Sequence, residues 1–460
     1  MENLDARSAR NKPKRNKMKK SILTAVLLLA AALPAWAHTV RETLANGMTV
    51  VVREDKRAPV ATVQLWYKVG SIDEHAGKSG LSHALEHMMF KGTPAVPSGE
   101  FARRISAMGG NNNAYTANGE TVYHQTVAKQ HLPEVLRLEA DRMRNLNFSD
   151  TEFTNEMKVI REERRERIDD NPMGSLYEQL QLRAFDKPAN RTTVIGTMAD
   201  LHTLTANDLR RWYAQWYAPN NALLVIVGDV DAHSTIAEVK RHFAGIAPRP
   251  LPARHQLDEA QIRQATSART TGNTKQPMFM LGYRVPHLHQ LDDKLPYALS
   301  MLTDILDGHT AARFDKHLIR GQQLALEIAT SYSVFGRQPQ LLTIAAMPSE
   351  RATVTRLRQA IEAQIADIAA NGVGEDELQR ARIREESAAV YARDSIEGQA
   401  GLIATLEHHG FNHADEHEIR QRIAAVTSAD IQAAAKLLTD PRRQVFVRLD
   451  PRPAPKTKKR

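Results

Sequence analysis

The chain repeats, near its end, a pattern set 222 residues earlier, and this repeat limits the architectures open to it. Leu204-Thr205-Ala206-Asn207-Asp208-Leu209 begins a helical pattern, and Val426-Thr427-Ser428-Ala429-Asp430-Ile431 does the same. Ala218-Pro219 then precedes the apolar run Leu223–Val227, as Asp440-Pro441 precedes Gln444–Leu449. Thr205/Thr427, Asp208/Asp430, Pro219/Pro441 and Val225/Val447 all match at one offset. A threonine cap, a helix, a proline break and a strand thus close each half. The 460 residues therefore divide into two related halves. The expected division is 38–246 and 256–450, joined by a linker at 247–255 that contains Ala247-Pro248-Arg249-Pro250-Leu251-Pro252.

Strand-like runs in the first half fall at Met48–Arg53, Ala61–Val69, Thr121–Val127 and Leu223–Val227. Helical patterns fall at Gly80–Phe90, Gly99–Met108, Leu132–Arg144, Asp150–Asp169 and Ala206–Trp216. Several strands adjoin without an intervening helix, which favours α+β over a doubly wound parallel sheet. In the second half, strands are expected near Met278–Tyr283 and Gln340–Ala345, with long helices at Arg351–Ala370 and Glu375–His408. The fold class is therefore α+β: two structurally related α/β-layer domains facing each other across a clam-like cleft.

His83-Ala84-Leu85-Glu86-His87 is an H-x-x-E-H pentad inside the apolar helix Gly80–Phe90. On a helix, His83 and His87 leave one face a turn apart. Two nitrogen ligands at that spacing suit a tetrahedral zinc with one position open for water, and Glu86 beside them can take that water's proton. The inverted order is a catalytic motif in its own right. No such pentad recurs in the second half, so one half is expected to bind metal and the other only substrate. A third ligand must come from elsewhere. Asp150–Asp169 offers Glu156, Glu162, Glu163 and Glu166. Glu156 and Glu163 share a stripe two turns apart, while Glu162 points about 100° away from Glu163. By pattern alone, Glu162–Arg167 is a solvated, salt-bridged face.

Beyond the pentad, the chain resembles the pitrilysin/insulinase family of inverted-motif zinc peptidases, in its short two-domain branch. The resemblance rests on several segments besides the pentad. Gly70-Ser71 with Glu74, Phe90-Lys91-Gly92-Thr93, and Gly109-Gly110 leading to Asn113-Ala114-Tyr115-Thr116 carry its first part. Asp170-Asn171-Pro172, and Tyr217-Ala218-Pro219-Asn220-Asn221 ending at Gly228-Asp229, extend it. Glu163 stands 76 residues after His87, the interval at which the family places a glutamate ligand. The resemblance implies one Zn2+ per chain held by His83, His87 and Glu163. It also implies Glu86 as general base and Glu156 as support for a zinc-bound histidine. Family members bind substrate as an added strand, here along Asn113–Thr116, so Asn113 and Ala114 are expected to contact the peptide. Without the family, Asn111-Asn112-Asn113 reads as a turn. Many members also carry an arginine and, seven residues on, a tyrosine in the second half. Arg320 fits the arginine and is expected to grip substrate, but Glu327 stands at the tyrosine position and Tyr332 is out of register. A dimer, with a related zinc-less subunit or with a second copy, is expected to supply what is missing.

Composition narrows the remaining choices. Lys17-Met18-Lys19-Lys20, the apolar run Ile22–Pro34 and Ala35-Trp36-Ala37 form an export signal ending at Ala37. That run is too short for a permanent membrane span. Either Met1 or Met18 could start the chain. The absence of cysteine excludes a disulfide framework and a lipidated cysteine, as expected for a periplasmic or secreted protein. The net charge of +9 is carried by residues 1–20 and by the basic, disordered-type tail 451–460, leaving about −2 on the body, so no nucleic-acid face is expected. Trp212, Tyr213, Trp216 and Tyr217 read as core. His408, His409, His413 and His417 read as an exposed helix end, and Arg142–Arg144 and Arg380–Arg384 as solvated faces. The leading function is an exported zinc endopeptidase acting on peptides or unfolded proteins. The competing ones are a metal-retaining, weakly or non-catalytic peptide-binding or assembly subunit and a zinc store.

Overall fold

Thr205 and Thr427 both cap helices as the repeat predicts, each accepting from the backbone N–H three residues on while the aspartate there reaches back. These caps recur within two sheets of the same wiring. The computed structural model describes residues 38–258 and 265–452; the segment 1–37, where the export signal is expected, and most of the basic tail lie outside the described residues.

The first sheet contains β1 (Thr39–Thr43), β2 (Thr49–Glu54), β3 (Val60–Tyr67), β4 (Asn111–Thr116), β5 (Thr121–Ala128) and β6 (Ala222–Gly228), in the order β1-β2-β6-β3-β5-β4. The second contains β7 (Thr266–Gly272), β8 (Met278–Val285), β9 (Ala325–Ser331), β10 (Gln340–Pro348) and β11 (Gln444–Pro451), in the order β7-β11-β8-β10-β9. The second order reproduces β2-β6-β3-β5-β4 strand for strand. Even the single parallel pair recurs, β2 with β6 and β7 with β11. The mixed α+β, two-domain architecture is as the sequence implies.

The principal helices are α1 (Leu81–Met88), α2 (Glu100–Ala107), α3 (Leu132–Asn145), α4 (Asp150–Arg164), α5 (Pro172–Ala184), α6 (Ala206–Trp216) and α7 (Ala232–Phe243) in the first half. The second half adds α8 (Lys294–Leu306), α9 (Val354–Asn371), α10 (Glu375–Asp394), α11 (Ile396–His408) and α12 (Ser428–Leu438). The expected long helix Glu375–His408 is two helices, because the Ser395 hydroxyl accepts from Gly398 N and starts a new one. Beyond Arg164, α4 widens into a π turn over Arg165–Asp169, closed by Asp170 N donating to Arg165 O.

Central strand β6 is buried along its whole length, which needs cover on both faces. One face packs on helices of its own half. The other is covered by α11 from the second half: Ala400, Ile403 and Ala404, at helical spacing, meet Val51, Trp66, Leu223 and Val225. The exchange is reciprocal. Leu176, Leu180 and Ala184 of α5 lie on Met278, Met280, Val445 and Val447 of the second sheet. The segment 247–255 carries no regular structure, as expected of a linker, yet this helix exchange crosses the division drawn there.

Two surface expectations are corrected. His408 is buried, not exposed: α11 brings it under the first sheet, where Nε2 lies 3.3 Å from Glu120 and the ring packs beside Trp66. Arg142 is likewise buried, paired with Glu139 and stacked over Phe101 and Tyr123. In both cases an aromatic surface and a carboxylate replace water around the side chain. Trp212, Trp216 and Tyr217 are core residues as expected, and Tyr213 is half-buried beside them. Among the described residues no helix is long and apolar enough to cross a membrane.

Candidate metal centre

Leu81, Ala84, Leu85 and Met88 form the apolar stripe that buries α1 against the first core. His83, Glu86 and His87 are left on the opposite face. Gly80 starts the helix at φ 87°, where a Cβ would sit 2.6 Å from Ile195 O, so only glycine fits. No side chain at Gly80 can cap the helix. Glu74, fully buried, does so from outside: Oε2 accepts from Gly80 N at 2.8 Å and Oε1 from Ser82 N at 2.7 Å. Burial pushes the Glu74 carboxyl up to about 8 against the pull of these two donors.

α4 runs past this face. Its buried stripe is Phe153, Met157, Ile160 and Arg164, flanked by Glu156 and Glu163, while Glu162 lies opposite and pairs with Arg165 in solvent. Glu163 Oε2 stands 3.7 Å from His83 Nε2 and 3.5 Å from His87 Nε2. One donor atom from each of the three residues lies within 4.8 Å of the others, the only such trio among the described residues. The spacing accommodates an ion roughly 2.0–2.2 Å from each donor. Glu163 Oε2 is also buried without a hydrogen-bond partner, a cost a bound cation would remove. Its other oxygen is held by Arg167 at 2.9 Å, which turns the carboxylate toward single-oxygen ligation. Two imidazoles and one carboxylate are a donor set that suits zinc.

His87 is oriented from behind. Its Nδ1 lies 2.8 Å from Glu156 Oε1, and Lys91 Nζ holds Glu156 Oε2 at 2.5 Å. This carboxylate–histidine arrangement fixes the ring so that Nε2 faces the other donors. The hydrogen bond from His87 holds Glu156 down to about 2 despite its burial. Burial opposes a charge on His87, but Glu156 and Glu163 outweigh it and lift the imidazole to about 9. Burial and the neighbouring His87 pull His83 down to about 4. Replacing Glu156 with Gln should weaken zinc affinity about 10–100-fold while the fold persists, as read by competition with a chromogenic chelator.

Glu86 is buried, and burial raises its carboxyl above the ordinary range while Thr116 Oγ1 donates to Oε2 at 2.6 Å. Thr116 ends β4, the edge strand of the first sheet. β4 and α1 together wall a cavity of about 690 Å³. The strand's outer edge is unpaired, and Ala114 N donates to the side chain of its own neighbour Asn113 at 2.9 Å. That backbone is free to take an added strand.

The structure thus brings His83, His87, Glu163, Glu86 and Glu156 together, with Asn113 and Ala114 on the cavity wall. Arg320 is not among them. It lies in the wide helical turn Phe314–Gly321, bonded to Asp315 and to the Thr310 carbonyl, and does not line the cavity. These neighbours engage its Nε and Nη2, away from the cavity. Sequence reasoning gave the side chains of Glu74, Lys91, Thr116 and Arg167 no role in holding the site residues. Arg167 carried a signal, standing four residues beyond Glu163, whereas Lys91 lies past the end of α1 and reaches Glu156 on α4.

Residues 49–197 match the model of the insulinase family, peptidase family M16, and residues 203–384 match that of the peptidase M16 inactive domain. A zinc protease of Helicobacter pylori named PqqE is 29% identical over 391 residues, covering 83% of this chain and 87% of that protein. An uncharacterised zinc protease of Mycobacterium leprae is 29% identical over 411 residues, covering 88% and 90%. Among solved structures, a protease from H. pylori superposes with TM-score 0.86 at 26% identity, covering 90% of this chain and all of that one. A peptidase M16 inactive domain from Pseudomonas fluorescens shares the fold alone, at TM-score 0.82 and 16% identity over 91% of this chain and 99% of its own. The two family models, taken in order along a chain whose two halves repeat one fold, show that it belongs to peptidase family M16, the insulinase family, in its short two-domain form.

Proposed function

We propose that this chain is an exported zinc endopeptidase that hydrolyses peptides or unfolded proteins. The observation that carries the reading is the convergence of His83, His87 and Glu163 on one point, with Glu86 beside it and an open strand edge along the same cavity. Zinc bound there would supply Lewis acidity, polarising a carbonyl and bringing the acidity of a coordinated water near neutrality. The chain's own residues do the rest. Glu86, its proton affinity raised by burial, accepts a proton from the attacking water and holds it for the leaving amine. Thr116 fixes which way that carboxylate points. The free edge of β4 aligns the substrate backbone, with Asn113 turning away from Ala114 N as the peptide pairs.

Export is supported by the amino-terminal basic, apolar and Ala-Trp-Ala segments. A working dimer, with a zinc-less relative or with a second copy, is supported by Glu327 at the expected tyrosine position and by Arg320 engaged elsewhere. An unfolded model substrate should be cut by the native protein, spared after chelation, and cut again on adding zinc. Sizing the same preparation checks the dimer; full activity from a strictly monomeric sample would refute it.

A further inference from the structure

A second recess, of about 200 Å³, opens beside the zinc cavity, with Tyr177 lining both. It lies where the halves meet. Tyr177 and Gln181 of α5 with Phe185 just past its end form one wall, Asn118 beyond β4 another, and Ser331–Ser333 with Gln338 the third. A clamp holds these walls together: Arg337, adjoining Gln338, donates to both oxygens of buried Asp73, at 2.9 and 3.1 Å, and to Gly119 O at 2.8 Å.

Two residues lining this recess carry a buried amide oxygen that is unused. Gln181 is 6% exposed and Gln338 5%, and neither Oε1 has a hydrogen-bond partner. The Gln181 amide nitrogen is already committed to Tyr177 Oη at 2.7 Å. Two of the lining hydroxyls are committed too, Tyr332 to Pro286 O and Ser333 to Phe335 O, both at 2.7 Å. Leaving two such acceptors unpaired is costly, so the recess calls for an occupant bearing donors. Among its described lining residues none is charged. A lysine or arginine buried there would lack a counter-ion, and a leucine would leave both acceptors orphaned.

We infer that this recess is a substrate side-chain subsite selecting an uncharged, hydrogen-bond-donating residue, a glutamine or asparagine, close to the scissile bond. The inference rests on the peptidase reading for the placement of the substrate and adds its side-chain preference. A carboxamide brings two N–H donors, matching the two free carbonyl oxygens. Its position follows from the chain path, since β4 leads from Thr116 at the zinc cavity directly to Asn118 at the recess.

The test measures peptide affinity on zinc-loaded Glu86→Gln protein, so that it reads the recess with or without turnover. A host peptide of alanine and leucine carries one Gln, Leu or Lys walked along its length. At one position Gln should bind about tenfold more tightly than Leu or Lys. The near-isosteric changes Gln181→Met and Gln338→Met should together level that difference with zinc content unchanged. Equal affinity for Gln, Leu and Lys at every position would overturn the inference without any variant of the recess. Retention of the Gln preference in the folded double variant would overturn it too. A clear Gln preference with no cleavage by the native chain would instead refute the peptidase reading and leave the recess assignment standing.

Discussion

Glu86→Gln should bind zinc as the native chain does and cleave peptides roughly 10²–10⁴-fold more slowly. The substitution keeps the side chain's size and its acceptor for Thr116 Oγ1, so the geometry around α1 has no cause to change. It removes the one group beside the three donor atoms able to take a proton from water. Burial already raises the proton affinity of Glu86, which suits a base that must accept and return a proton near neutral pH. Rates on a quenched peptide, alongside zinc content by atomic absorption, separate the chemistry from the metal. Equal rates would reduce the chain to a peptide-binding subunit or place the base elsewhere.

The second large effect is expected at Glu163. Glu163→Ala removes the only carboxylate of the trio and leaves Arg167 without its partner beside the two histidines. Zinc affinity should fall by more than about 100-fold, beyond what losing an outer partner such as Glu156 costs. Peptide cleavage should vanish with it at ordinary zinc concentrations. Glu162→Ala is the matched control: one residue earlier, exposed and paired only with Arg165, it should change neither quantity. The pair of variants decides which glutamate of this acidic helix holds the ion.

That choice illustrates what the sequence could and could not resolve. The pentad and the repeat were legible because both are local: a four-residue helical interval and a capped helix running into a strand. Helical phase separated Glu163 from Glu162, but only the resemblance to the family singled out Glu163, since it joins α1 through tertiary packing. Arg320, which does not line the cavity, illustrates the converse. Its assignment relied on register alone, and in the folded chain Asp315 and the Thr310 carbonyl occupy its guanidinium. The buried state of His408 was equally hidden. α11 is apolar around much of its circumference, but nothing within it identifies the sheet of the other half as the surface it covers. α5 was not expected from the sequence, and its role as cover for the second sheet depends on strands more than 90 residues away.

The central claim is that a single ion sits between α1 and α4. Anomalous diffraction from zinc-loaded crystals, recorded on either side of the zinc absorption edge, tests it most directly. One peak should appear roughly 2.0–2.2 Å from His83 Nε2, His87 Nε2 and Glu163 Oε2. A peak at other side chains, or none at these three in fully loaded protein, would contradict it.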